Sequence, residues 1–139
     1  VEAYQILRTL RGESRGLRSH PVVKMWSEQE RPLCVYGAAI CIEWRRRGFR
    51  DSLLDSFRLP SFVIQPAGKP MTPVWLGDER LHASHRSLLL RRDLTWYGQC
   101  DWTEPVDLPC LWPLPSADGQ SYQLLTIQRS HRAQSLSTP

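Results

Sequence analysis

The run PLCVYGAAICIEWRRRG, residues 32–48, constrains this chain most. Its apolar residues cover most of a helical circumference before the triplet Arg45, Arg46, Arg47 and a stop at Gly48. Cations there complement the negative end of the helix dipole, and glycine readily takes the left-handed conformation that closes a helix. A helix apolar on most sides belongs at the centre of a domain, with Pro32 opening it. The rest of the chain must then supply what packs around it.

The flanking segments read mainly as helices. In VEAYQILRTLRG, Ala3, Ile6, Leu7 and Leu10 recur at three- and four-residue steps, so a helix is expected over residues 1–11, ended by Gly12. Ser19 suits an N-cap, with Pro21 in the first turn of a short helix through VVKMW. DSLLDSF reads as a short amphipathic helix, and RLPSFVIQPAGKPMTPVW as an irregular connection with a short strand at most at FVI. Asp78 suits the N-cap of a further helix, ERLHASHRSLLLRRD, with Leu81, Leu88 and Leu89, and Ala83 or His85, turned inward.

Beyond it, LTWYGQCDWTEPVDLPCLWPLP is too rich in proline and tryptophan for a helix and is expected to wrap the surface as extended chain, while RSHRAQSLSTP reads as a frayed tail. The expected fold is all-α: one compact domain of about four to five helices with a long irregular Pro/Trp-rich C-terminal segment. The domain is expected over residues 1–115, with an extended tail over 116–139.

At 139 residues the chain suits one domain, and 41% hydrophobic with 23% charged residues excludes wholesale disorder. The net charge is +4, carried almost wholly by arginine, since the only lysines are Lys24 and Lys69. Arginine's planar fork grips phosphate bidentately, which points to a polyanionic partner. Cys34, Cys41, Cys100 and Cys110 form no close pair and no metal-ligand spacing. With no secretory signal and no run long enough to span a bilayer, a cytoplasmic protein without membrane attachment is expected. The chain opens without methionine and already in helical rhythm, so a first segment is expected to be missing.

The segment RGESRGLRSHP, residues 11–21, is the candidate anion-binding loop. Gly12 and Gly16 let the backbone turn tightly, while Arg11, Arg15 and Arg18 can point outward together. The alternative is a solvated loop whose arginines pair with Glu13, Glu28 or Glu30. His82 and His85 lie three apart on one helical face, but no third ligand stands at a suitable spacing, so neither a metal nor another cofactor is expected. TWYG, residues 95–98, can stack on an unpaired base or simply close the core. GxGxxG, Walker and GxSxG motifs are absent, which removes the commonest nucleotide-binding and hydrolase classes.

Taken in order, a glutamate in the first helix, the RGESRGLRSHP loop, the AICIEWRRRGFRDS helix end, the histidine–arginine helix and the WYG segment resemble the pyrimidine-dimer DNA glycosylase family, the endonuclease V type, and within it the bacterial branch. The resemblance spans about residues 1–115. It implies a mostly helical monomer that binds duplex DNA, kinks it and displaces a base at the lesion. An α-amine then attacks the sugar C1′ to give a Schiff base, and β-elimination cleaves the backbone. Such an amine, with a pKa of about 8, is partly unprotonated at neutral pH.

Carried over residue by residue, the resemblance gives Glu2 the place of the catalytic glutamate, which stabilises the cationic sugar and moves protons. It places Arg11, Arg15, Arg18 and His20 in the DNA-facing loop, His85 and Arg86 in a helix contributing phosphate contacts, and Trp96 with Tyr97 near the lesion. The family's amine lies well upstream of the glutamate, so the missing first segment is expected to supply it. The alternative is a non-catalytic DNA-binding module or interaction subunit on the same fold.

Overall fold

A computed structural model of the chain describes residues 1–16, 18–58 and 72–126. Helix α1, Glu2–Leu10, buries Ile6, Leu7 and Thr9 on one side and ends with Arg11 as C-cap. Gly12 follows at φ +77°, the left-handed conformation that lets the loop leave the helix. Helix α2, Pro21–Met25, is capped by His20 rather than by the expected Ser19. The His20 ring accepts at Nδ1 from the Val22 N–H at 3.2 Å, occupying the role a serine hydroxyl would take.

Helix α3, Glu30–Arg46, is the longest element and does lie against the core, but it is not buried all round. Leu33, Cys34, Gly37 and Cys41 face inward, whereas Val35, Tyr36, Ile40, Ile42 and Trp44 stand exposed. Its apolar circumference therefore serves two surfaces, one of which has no cover among the described residues. Gly37 is the point of closest approach, where the Phe57 ring of the 3-10 turn Leu54–Phe57 lies against the helix backbone. Phe57 in turn meets Tyr4 of α1 edge-on, with ring centroids 6.4 Å apart.

Helix α4, Glu79–Arg92, begins as its sequence suggests: the Asp78 side chain accepts from the Arg80 N–H. Its inward residues, however, are Leu81, Ser84, Ser87 and Leu90, at strict three-residue steps, and not the expected Leu88 and Leu89. The serines face inward because the following chain brings unpaired backbone groups to them. The Ser87 hydroxyl donates to the Pro105 carbonyl at 2.5 Å and accepts from the Leu108 N–H, while Ser84 accepts from the Leu111 N–H. A proline-rich segment cannot satisfy its backbone internally, and the helix does so instead.

The expected absence of helix after α4 is corrected by α5, Leu94–Tyr97, and a 3-10 turn, Gly98–Cys100. Asp93 caps α5 by accepting from the Trp96 N–H. Next comes an antiparallel hairpin of β1, Leu111–Pro115, and β2, Tyr122–Thr126, with Pro113 opposite Leu124. Position 115 falls at the end of β1, so the hairpin runs across the expected domain limit. Its turn is anchored by buried Gln29, whose Nε2 donates to the Gly119 carbonyl and whose Oε1 accepts from the Val74 N–H. The possible strand at FVI and the expected frayed tail lie outside the described residues. The domain is mostly helical, with this hairpin as its sheet among the described residues.

Candidate functional site

Where α1, α2, α3, residues 72–76, α4 and β1 converge, they leave an open groove of about 850 Å³. Its wall is largely apolar and aromatic. Trp26 stacks on Tyr36 at a centroid distance of 5.8 Å and meets Trp75 edge-on at 5.1 Å, and Trp75 Nε1 donates to the Met25 carbonyl. The rings are thus fixed in position before any ligand arrives, which lowers the ordering cost of binding a flat apolar group.

Among the described residues that line this groove, Glu2 is the only carboxylate and His85 the only imidazole. Glu2 lies in the first turn of α1, exposed and at the favourable end of the helix dipole. His85 lies on α4 with Nε2 2.9 Å from the Leu111 carbonyl oxygen. A carbonyl can only accept, so Nε2 carries the proton and Nδ1 remains to accept or, when protonated, to donate. The structure therefore places the expected acid/base and one expected phosphate contact along the same groove, on elements far apart in sequence.

Trp112 of β1 lines the same groove and links it to the basic loop. The His85 ring meets the indole at 5.2 Å and the His20 ring at 6.3 Å, both nearly perpendicular to it. His20 thus works through its ring contacts and as the α2 cap. The sequence alone does not single out Trp112 or Tyr36, because no periodic pattern marks an aromatic residue as lining a groove, and buried Trp26 and Trp75 reach the groove only as the edge of the core.

The remaining expected contacts divide. Arg15 and Arg18 are exposed on the loop and make no ion pair among the described residues, which leaves both guanidinium groups available to phosphate. Arg11 is not available in this way: its Nε and Nη2 both reach Glu30 Oε1, at 2.8 and 2.7 Å. The solvated-loop alternative is thus realised at Arg11 and not at Arg15 or Arg18. Arg86 is likewise engaged, bridging Glu79 and Glu104, and binds the C-terminal segment to α4.

Trp96 and Tyr97 are not in the groove. Trp96 is 66% exposed on α5, and Tyr97 stacks nearly parallel on Trp102. His82 accepts from the Gly77 N–H and closes the turn before α4. Among the described residues no group of three metal-ligating side chains comes together, and no helix is long and apolar enough to cross a membrane.

Residues 1–56 match the model of a family described as pyrimidine dimer DNA glycosylase. That segment contains α1, the basic loop, α2, α3 and the start of the 3-10 turn, so the resemblance read from the sequence is found again over the part of the chain that carries Glu2, Arg15 and Arg18. No curated protein and no solved structure matches the chain.

Proposed function

We propose, from the match of residues 1–56 to the pyrimidine dimer DNA glycosylase family, that this chain excises damaged pyrimidines from duplex DNA and then cleaves the abasic strand. The match supports a glycosylase-type repair function in general. The groove supports the particular chemistry, and one observation carries it: Glu2, which falls within the matched residues 1–56, is the only carboxylate lining the cleft among the described residues.

In this reading Arg15 and Arg18 grip the phosphates beside the lesion, and the damaged nucleotide leaves the stack, because its sugar C1′ is unreachable inside a duplex. The displaced base lies against the half-exposed Tyr36 ring, which buried Trp26 and Trp75 back from the core side, and stacking there replaces what unstacking costs. An α-amine forms a bond to C1′ as the glycosidic bond breaks with its electron pair to the base, which takes up a proton. The nitrogen then gives up a proton and its electron pair expels O4′ from C1′, so that O4′ is protonated and the opened sugar is left as the protonated Schiff base. The Glu2 carboxylate stabilises the positive charge that develops on the sugar. It then accepts the C2′ proton, and the electrons of that C–H bond expel the 3′ phosphate from the Schiff base. His85, pinned through Nε2, presents Nδ1 to the groove as a sugar or phosphate contact.

The test is borohydride trapping with this chain and with any longer natural form of it, on duplexes bearing a thymine dimer, an abasic site or no lesion, followed by mapping of the modified peptide. A covalent adduct on the first two substrates alone is expected, and the map identifies the amine. No adduct on any duplex, with salt-sensitive DNA binding intact, would overturn the excision reading in favour of a binding module.

A further inference from the structure

The exposed face of α3 does not end at the groove. Tyr36, Ile40 and Trp44 recur at four-residue steps, each about half exposed, so they form one stripe along the helix. Tyr36 and Ile40 line the groove; Trp44 lies beyond it. There the indole stacks on Phe49 at a centroid distance of 4.2 Å and an interplanar angle of 25°, and Trp44 Nε1 donates to the Arg50 carbonyl, which folds the chain after Gly48 back onto the helix end. Phe49 is itself 51% exposed. A pair of large rings, stacked and held by a hydrogen bond but left half in solvent, is poorly explained as core.

The surroundings of that pair are cationic. Glu43 is shared between Arg46 and Arg47, Arg45 pairs with Asp51, and the Arg50 side chain makes no ion pair among the described residues. Four arginines against two carboxylates leave an excess of positive charge around two exposed aromatic faces. A lipid surface would accept this charge and take up such rings, but it gains nothing from their being stacked flat and fixed by a hydrogen bond. Unpaired nucleic acid uses both, its phosphates meeting the arginines and its bases stacking on the rings.

We infer that the Tyr36–Ile40–Trp44/Phe49 stripe of α3 is a track for unpaired DNA leading away from the groove. From Tyr36 to Trp44 it measures about 12 Å along the helix, the length of roughly three to four stacked nucleotides. The substrate class this adds is DNA whose strand is already open beside the lesion, as in a bubble or a flap, held in preference to a fully paired duplex. The inference rests on the DNA reading above for its partner, and the two can fail separately.

The experiment is fluorescence anisotropy with a short labelled oligothymidylate at low salt, using the full chain, the double substitution Trp44→Leu with Phe49→Leu, Trp44→Phe, and Arg50→Ala. The leucine pair keeps an apolar surface without a π-face and is expected to weaken binding at least about tenfold, whereas Trp44→Phe stays within about threefold of wild type. Arg50→Ala is expected to lower the slope of log K against log salt by about 0.7. Circular dichroism of each variant establishes that it is folded, and Arg50→Ala stands as the second arm if the leucine pair is not. Undiminished binding by a folded leucine pair, an unchanged salt slope for Arg50→Ala, or no oligothymidylate binding by wild type alongside binding to anionic vesicles would overturn the inference. Binding that depends on these aromatic rings in a protein that gives no borohydride adduct would sustain it while removing the excision reading.

Discussion

The Tyr122 hydroxyl donates to Oδ2 of Asp78 at 2.7 Å, so the residue that caps α4 also holds the second strand of the hairpin. The Arg80 guanidinium, then this hydroxyl, hold the Asp78 carboxyl well below the usual carboxylate range. A depressed folded-state pKa contributes stability that is fully present above the unfolded-state value of 3.8 and is lost as pH falls from there toward the folded-state value. Asp78→Asn is therefore expected to lower the urea midpoint at about pH 7, and the gap from wild type is expected to narrow at about pH 2. An equal gap at both pH values would show that the charge of Asp78 contributes nothing.

Gly37 is expected to be intolerant of even one added carbon. A Cβ there would stand 2.6 Å from Cζ of Phe57, whose ring is 5% exposed and has nowhere to retreat. Gly37→Ala gains about 1 kcal/mol of helix propensity and loses about 1–3 kcal/mol to overpacking, so a net loss is expected. Denaturant unfolding checks the sign, and pairing the substitution with Phe57→Leu should recover part of the loss.

Ser87 is fully buried, and both its hydrogen bonds run to the C-terminal segment. Ser87→Ala leaves the Pro105 carbonyl and the Leu108 N–H without that partner, an expected cost of about 1–3 kcal/mol. Hydrogen exchange should show the added opening at the Leu108 and Leu111 amides before it appears in α1.

Much of this architecture is legible in the sequence, and the parts that are not have physical reasons. Gly12, Pro21 and Asp78 mark helix ends through backbone chemistry that acts locally, and all three stand where they were expected. The inward serines of α4 are different: nothing near Ser84 or Ser87 shows that extended chain 18 to 27 residues later needs donors and acceptors. α3 reads as a buried helix because apolar periodicity cannot separate a side facing the core from one facing a groove. Glu2 is singled out by its place in an ordered series of motifs, whereas the placement of His85 and Trp112 on the groove that Glu2 also lines depends on tertiary packing alone.

Arg15 and Arg18 are expected to act on DNA as phosphate contacts. Replacing both with alanine should lower the slope of log K against log salt by about 1.8 on duplex DNA, equally for damaged and undamaged sequence. Arg11→Ala should affect folding stability more than that slope, because Glu30 already holds its guanidinium. A slope change as large for Arg11 as for Arg15 would show that the Glu30 pair opens when DNA binds.

The measurement that bears most directly on the whole account compares wild type with Glu2→Gln on a duplex carrying a single thymine dimer, with strand cleavage and equilibrium binding read in the same buffer. The account predicts cleavage by wild type, a loss of about a hundredfold or more in Glu2→Gln, and binding within about twofold of wild type. Cleavage that survives the substitution, or a wild-type protein that binds the duplex and never cleaves it, would contradict the assignment of Glu2 and of the groove.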